Sequence, residues 1–185
     1  MEGVNTRGEI EVLGIAGSLR KASHNRRLLA AARELAPEEM RIDVFELDEI
    51  PLYNGDLDTD ESRPEAVVRL KEAIARADGV LFVTPEYNHV IPGVLQNAID
   101  WASRPGMRSP LAGKPAGIMG AANGVIGTAR GQQHLKLTLM GTLALVMPHP
   151  GVAVGQAQKK FDEEGRLIDE PTREFVAAYL QQFEE

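Results

Sequence analysis

The stretch IEVLGIAGSLRKASHNRRLLAAAREL, residues 10–35, decides the fold. Its apolar run, Ile10 to Ala16, has the length of a buried strand, and Arg26, Leu28, Leu29, Ala32 and Leu35 follow in a helix-like stretch. Between them the turn GSLRKASHN, residues 17–25, breaks both patterns. The same alternation continues along the chain. Apolar segments at Arg41 to Leu47, Gly79 to Thr84, Pro115 to Gly120 and Leu143 to Val154 are separated by stretches of helical period. Val67, Leu70, Ile74 and Ala77 share one helix face, Leu95, Ala98 and Ala102 another, and Phe175, Val176, Tyr179, Leu180 and Phe183 a third. Ile91-Pro92-Gly93 starts a helix and Ser103-Arg104-Pro105-Gly106 stops it. Gln132 to Met140 is assigned to helix although Leu135, Leu137 and Leu139 alternate as in a strand. Gly155 to Glu170 turns polar, with a turn at Asp162-Glu163-Glu164-Gly165, and predicts a surface excursion before the last helix. The units predict an α/β fold: a doubly wound, five-stranded parallel sheet of order 2-1-3-4-5 with helices on both faces. Its ligand crevice lies at the carboxyl ends of strands 1 and 3.

A chain of 185 residues suits a single domain spanning 1–185. The start, MEGVNTRGE, lacks a basic-then-apolar leader, and no apolar run has bilayer-spanning length, so export and membrane association are not expected and the cytoplasm is. With no cysteine, redox chemistry has to ride on a bound cofactor. The net charge of −7 disfavours nucleic acid and anionic lipid as partners. Against that background, Arg20, Lys21, Arg26 and Arg27 gathered in one turn without an acid need a local reason.

Basic residues are the wrong charge for a helix start, where the dipole favours acids by about 0.3 to 1 kcal/mol, and a bound anion repairs the mismatch. Ser18 and Ser23 add donors, Arg20 offers a bidentate grip, and Asn25 either caps the helix or donates to the same group. The set suits a terminal phosphate monoester, with solvated arginines and ordinary capping as the plain alternative. Neither a dinucleotide G-x-G-x-x-G pattern nor a nucleotide-triphosphatase loop occurs. After strand 3, PEYNHVIPG, residues 85–93, offers the amides of Glu86, Tyr87 and Asn88 to a flat ring. Tyr87 serves as an aromatic wall and Asn88 as a residue tolerant of left-handed backbone. A phosphate holder and a ring holder on neighbouring strand ends match flavin mononucleotide.

GSLRKASHN, TPEYNHVIPGVLQNAIDWASRP and GVIGTARGQQHL together resemble the NADPH-dependent FMN reductase family, with the nearest likeness to its bacterial chromate and quinone reductases. The resemblance covers nearly the whole chain, including Ile50-Pro51-Leu52-Tyr53-Asn54. It implies a flavodoxin-like fold, tightly bound FMN, NADPH or NADH as co-substrate, and homodimers or homotetramers. It also implies that Ser18, Leu19, Arg20, Ser23, His24 and Asn25 hold the phosphate and that Pro85, Glu86, Tyr87 and Asn88 line the ring. Ala122, Asn123 and Gly124 would approach from the strand 4 side. Two positions depart from the pattern: Ala122 stands where a serine is frequent, and His24 where an aromatic residue is, a change expected to alter packing.

The activity so implied is hydride transfer from NAD(P)H to flavin, then electron delivery to a small acceptor such as a quinone, chromate, an azo compound or free flavin. No catalytic side chain and no metal are expected, since His89, His134 and His149 lack ligand spacing. Arg130 is the candidate for an anionic substrate. Trp101 is assigned to the core. A flavodoxin-like electron carrier and a nonredox phosphate-binding domain are the rival readings.

Overall fold

β1 (Ile10–Ala16) occupies an inner position of a parallel sheet, flanked by β2 (Met40–Phe45) and β3 (Gly79–Val83). The computed structural model describes residues 8–185, so the reading of the chain's first seven residues lies outside them. β4 (Pro115–Ala121) pairs with β3, and the order β2-β1-β3-β4-β5 is the predicted 2-1-3-4-5. Strand residues alternate between two cores. Leu13, Ile15, Val80, Phe82 and Ile118 face α2 (Glu65–Arg76), α3 (Gly93–Ala102) and α4 (Ala129–Gly141). Val12, Ala16, Leu81, Val83 and Met119 face α1 (His24–Glu34) and α5 (Glu170–Glu184). Because β3 is covered on both faces, all of it is buried and it reads as an unbroken apolar run.

The fifth strand differs from expectation. Leu143 to Val154 is not one strand but two, β5 (Leu145–Val146) and β6 (Val152–Val154), which share the place beside β4. Pro148 and Pro150 have no amide hydrogen for the ladder, and Gly151 adopts φ +91, so the chain loops out between them. The gap leaves the Ile118 amide without a strand partner, and it donates instead to the Tyr179 hydroxyl at 2.6 Å. Burial pushes that hydroxyl up to about 12 from its ordinary 10.0. Tyr179→Phe leaves the Ile118 amide buried and unpaired, and is expected to lower stability by about 1 to 3 kcal/mol near neutral pH. The folded value is raised, so this phenol's share of stability is complete below pH 10 and is lost as pH rises toward about 12. Urea midpoints across that window should show the alkaline loss in the native chain and not in the variant.

Other departures are smaller. β2 ends at Phe45, although Leu47 beyond it is buried. On α5, Val176, Tyr179 and Leu180 are buried but Phe175 is 45% exposed, because it lies beside rather than on the sheet-facing stripe. Gln132 to Met140 does form helix, as part of α4, burying Leu135 and Leu139 and leaving Leu137 70% exposed. The excursion before α5 is not confined to the surface. It has the expected turn at Asp162 to Gly165, yet Ala157, Phe161 and Leu167 enter the core beside α1. Trp101 is buried, and its indole Nε1 donates to the Pro51 carbonyl, which also accepts from Asn97. Those bonds latch the segment after β2 onto α3.

Candidate active site

The turn after β1 is built to leave donors unused. Ser23 caps α1, its hydroxyl oxygen accepting from the Asn25 amide at 3.2 Å, while the first turn of α1 contains no acid. The amides of His24 and Arg26 have no hydrogen-bond partner among the described residues. Of the four basic side chains, Arg26 is held by Glu46. Arg20, Lys21 and Arg27 make no ion pair among the described residues. The unbalanced positive charge is therefore narrower than the sequence suggests.

Asn25 does not cap the helix, a role that Ser23 takes, although it does line the cleft described below. It is buried, its amide nitrogen donates to the Ala121 carbonyl at 3.0 Å, and its oxygen accepts from the Ala121 amide at 2.8 Å. This reciprocal pair fastens the start of α1 to the end of β4, across 96 residues of sequence, and so fixes the first loop relative to the third.

In the second loop Tyr87 and Val90 exchange both backbone hydrogen bonds around Asn88 (φ 52) and His89 (φ 70). That is the geometry of a two-residue turn with left-handed backbone at both central positions. Asn88 meets the left-handed expectation, whereas His89 was not anticipated. The Tyr87 amide is engaged inside the turn, so of the three amides expected to face the crevice only those of Glu86 and Asn88 lack a partner among the described residues. The Glu86 carboxylate, nearly buried, accepts from the Gly131 amide at 2.8 Å and satisfies the start of α4. Arg130 donates to His89 Nδ1 at 3.0 Å, which ties it to this loop.

The three loops meet. One cleft of about 220 Å³ is lined by Ser18, Arg20, Ser23, His24 and Asn25, by Pro85, Glu86 and Tyr87, and by Ala121, Ala122 and Asn123. Leu19, Asn88, Gly124 and Arg130 lie outside its lining, with Leu19 exposed at the rim and the Gly124 carbonyl accepting from Gly127 and Gln156. Tyr87 is 52% exposed, free to cover a flat ligand. The cleft is smaller than the roughly 300 to 1,000 Å³ that encloses a drug-sized ligand, so a larger molecule held here keeps one side open. A hollow of about 410 Å³ along the β2 edge, with Arg69, Glu72 and Arg76, shares no residue with these loops.

His24 sits on the first turn of α1 with its ring stacked on Phe161, centroids 5.7 Å apart and planes at 26°. Burial lowers its pKa from the ordinary 6.5, Arg20 and Arg27 lower it further, and the Asn123 side chain acts the other way. Sequence reasoning missed the joints of the site: Glu86 as a cap for α4, and Phe161 as a wall behind the first loop. Neither carries a local signal, because each partner is remote along the chain.

A profile of the NADPH-dependent FMN reductase family matches residues 10–159. An NAD(P)H-dependent FMN reductase of Pseudomonas aeruginosa is 47% identical over 173 residues, covering 94% of this chain and 92% of the relative. A 2-hydroxy-1,4-benzoquinone reductase of a Burkholderia species is 38% identical, covering 94% of each chain. Among solved structures, FerB, a flavoenzyme NAD(P)H:(acceptor) oxidoreductase of Paracoccus denitrificans, superposes with a TM-score of 0.83 at 37% identity, covering 95% of this chain and 97% of that one.

Proposed function

The chain belongs to the NADPH-dependent FMN reductase family, and from that premise we propose that it is an FMN-dependent NAD(P)H oxidoreductase that passes electrons to quinones. The observation that carries this reading is the convergence of three separate loops, after β1, β3 and β4, on one cleft whose lining combines serine and arginine donors at a helix start with an exposed aromatic ring.

FMN fits what the residues offer: a helix start with unpaired amides, no acid in its first turn, and a guanidinium that makes no ion pair among the described residues. Bound there, FMN supplies hydride acceptance from NAD(P)H and electron delivery to an acceptor. The chain's own part is positioning. Ser18, Ser23, Arg20 and the α1 amides hold the phosphate. Pro85 to Asn88, with Ala122 and Asn123 opposite, hold the ring. The rigid turn at Asn88 and His89, braced by Glu86 on α4, keeps that wall from yielding. The Tyr87 side remains open to solvent and admits nicotinamide and acceptor in turn. The hydrogen bond to His89, which ties Arg130 to the loop after β3, supports it as the residue that meets an anionic substrate. A homodimer or homotetramer is supported by the outward apolar residues of α4, Leu137 and Met140, and light scattering decides it.

The test is spectroscopic. The purified protein should be yellow, and NADPH or NADH added without oxygen should bleach the flavin band, with a quinone restoring it. A flavin band that persists would make the chain an electron carrier, and a colourless protein that takes up no added FMN would remove the reading. Arg20→Ala is expected to weaken FMN binding by about ten- to a hundredfold, the worth of a hydrogen bond to a charged group. Riboflavin binding, which lacks the phosphate, should barely change when both are followed by fluorescence quenching.

A further inference from the structure

Resting on the FMN reading above for its protective half, we infer that Asn123-Gly124 is a self-modifying site: without flavin the Asn123 side chain converts spontaneously to isoaspartate and aspartate, and bound FMN blocks the conversion. An asparagine followed by glycine is open to this chemistry because the second residue has no side chain to shield its amide nitrogen. The chain has two such pairs, Asn54-Gly55 and Asn123-Gly124. Both are exposed, so access to water does not separate them. Their hydrogen bonds do. The Asn54 carbonyl accepts from the Leu57 amide at 3.0 Å, and its side-chain oxygen accepts from the Asp56 amide at 3.0 Å. Peptide plane and side chain are thus both fixed at the start of a short helical turn, Gly55–Leu57. At the second pair neither the Asn123 carbonyl nor the Gly124 amide has a hydrogen-bond partner among the described residues. No backbone group holds the Asn123 side chain, whose polar neighbour is the His24 ring.

The plane between Asn123 and Gly124 is therefore free to turn while the chain on either side stays fastened. Ala122 bonds to Val154 and Ala157, and the Gly124 carbonyl accepts from Gly127 and Gln156. Nor does the fold require glycine at 124. A Cβ there would meet nothing within 4 Å and its φ is not left-handed, whereas Gly120 is crowded by backbone and Gly127 has φ +61. In the reaction the Gly124 nitrogen attacks Asn123 Cγ. A C–N bond forms, the Cγ–Nδ2 bond breaks, and ammonia leaves with the Gly124 amide proton, closing a succinimide ring. Water then opens the ring at either carbonyl, so asparagine and water become isoaspartate or aspartate and ammonia, with no oxidant or reductant. The product places a carboxylate in the lining shared with Ser18, Arg20 and Ser23, where it repels a phosphate dianion. FMN seated in that cleft covers Asn123 and leaves its peptide plane no room to turn.

Flavin-free native protein, FMN-loaded native protein and flavin-free Gly124→Ala are aged side by side at mildly alkaline pH, digested, and mapped by mass spectrometry. Exchange of the amide NH2 for a hydroxyl raises the mass of the affected peptide, and isoaspartate splits its chromatographic peak. In flavin-free protein the Asn123 peptide is expected to convert about tenfold faster than the Asn54 peptide, and FMN or Gly124→Ala should each slow it by about tenfold. Asn123→Asp, which installs the charge directly, should weaken FMN binding by about tenfold and riboflavin binding far less. Equal rates at the two pairs, a faster rate at Asn54, or an unchanged rate in Gly124→Ala overturns the inference. Equal ageing with FMN bound overturns its protective half while the reductase reading stands. A native chain that binds no FMN overturns that reading, and the flavin-free comparison of the two pairs still judges the conversion. If Gly124→Ala does not fold, that same comparison decides.

Discussion

Asn25→Leu is expected to lower the stability of the flavin-free protein by about 2 to 5 kcal/mol, because it strips partners from two buried backbone groups at once. Both the amide and the carbonyl of Ala121 are satisfied by this one side chain. Leucine keeps the branched skeleton but is larger, so no cavity opens and the loss combines the unpaired polar groups with some overpacking. Asn25→Asp should not restore it, since a carboxylate accepts from the Ala121 amide but opposes the Ala121 carbonyl. Urea unfolding of flavin-free protein is the measurement, because bound FMN would mask part of the effect by mass action. A loss under about 1 kcal/mol would show that water replaces the amide and that the joint between α1 and β4 is not structural. Flavin affinity should fall together with stability, as the phosphate loop then loses its fixed position relative to Asn123.

Gly120→Ala is expected to cost about 3 to 5 kcal/mol, in the upper range for a single substitution. A Cβ there would stand 2.1 Å from Thr128 Oγ1 and 2.3 Å from the Thr84 carbonyl oxygen. The threonine can rotate or be shortened, but the carbonyl belongs to the backbone after β3. Adding Thr128→Ala therefore relieves one collision and leaves the other. The double variant should recover less than half of the loss in thermal melts, and near-complete recovery would show that the β3 backbone yields. Gly120 matters to function because it sets how closely the ends of β3 and β4 approach, and those ends carry two of the three loops of the cleft.

Most of the fold was legible along the chain, because a strand buried on both faces must be apolar throughout and a helix on a sheet must repeat its apolar face. Residues 79–83 and the Val67, Leu70, Ile74 and Ala77 stripe obey those requirements without reference to distant sequence. The division of the fifth strand position was also written in Pro148 and Pro150, although apolar content outweighed them in the reading of 143–154.

By itself, the sequence determined the doubly wound sheet, its strand order, the two loops that meet at its carboxyl edge and the excess of positive charge in the first of them. These follow from local periodicity and from the chirality of parallel connections. Tertiary structure alone decided what each polar side chain does within that frame. Asn25 ties α1 to Ala121 instead of capping its helix, Glu86 caps a helix 45 residues away, and Phe161 from a polar stretch walls in His24. A hydrogen bond is made to whichever partner folding brings within about 3 Å, and one chain's composition carries no record of partners dozens of residues away.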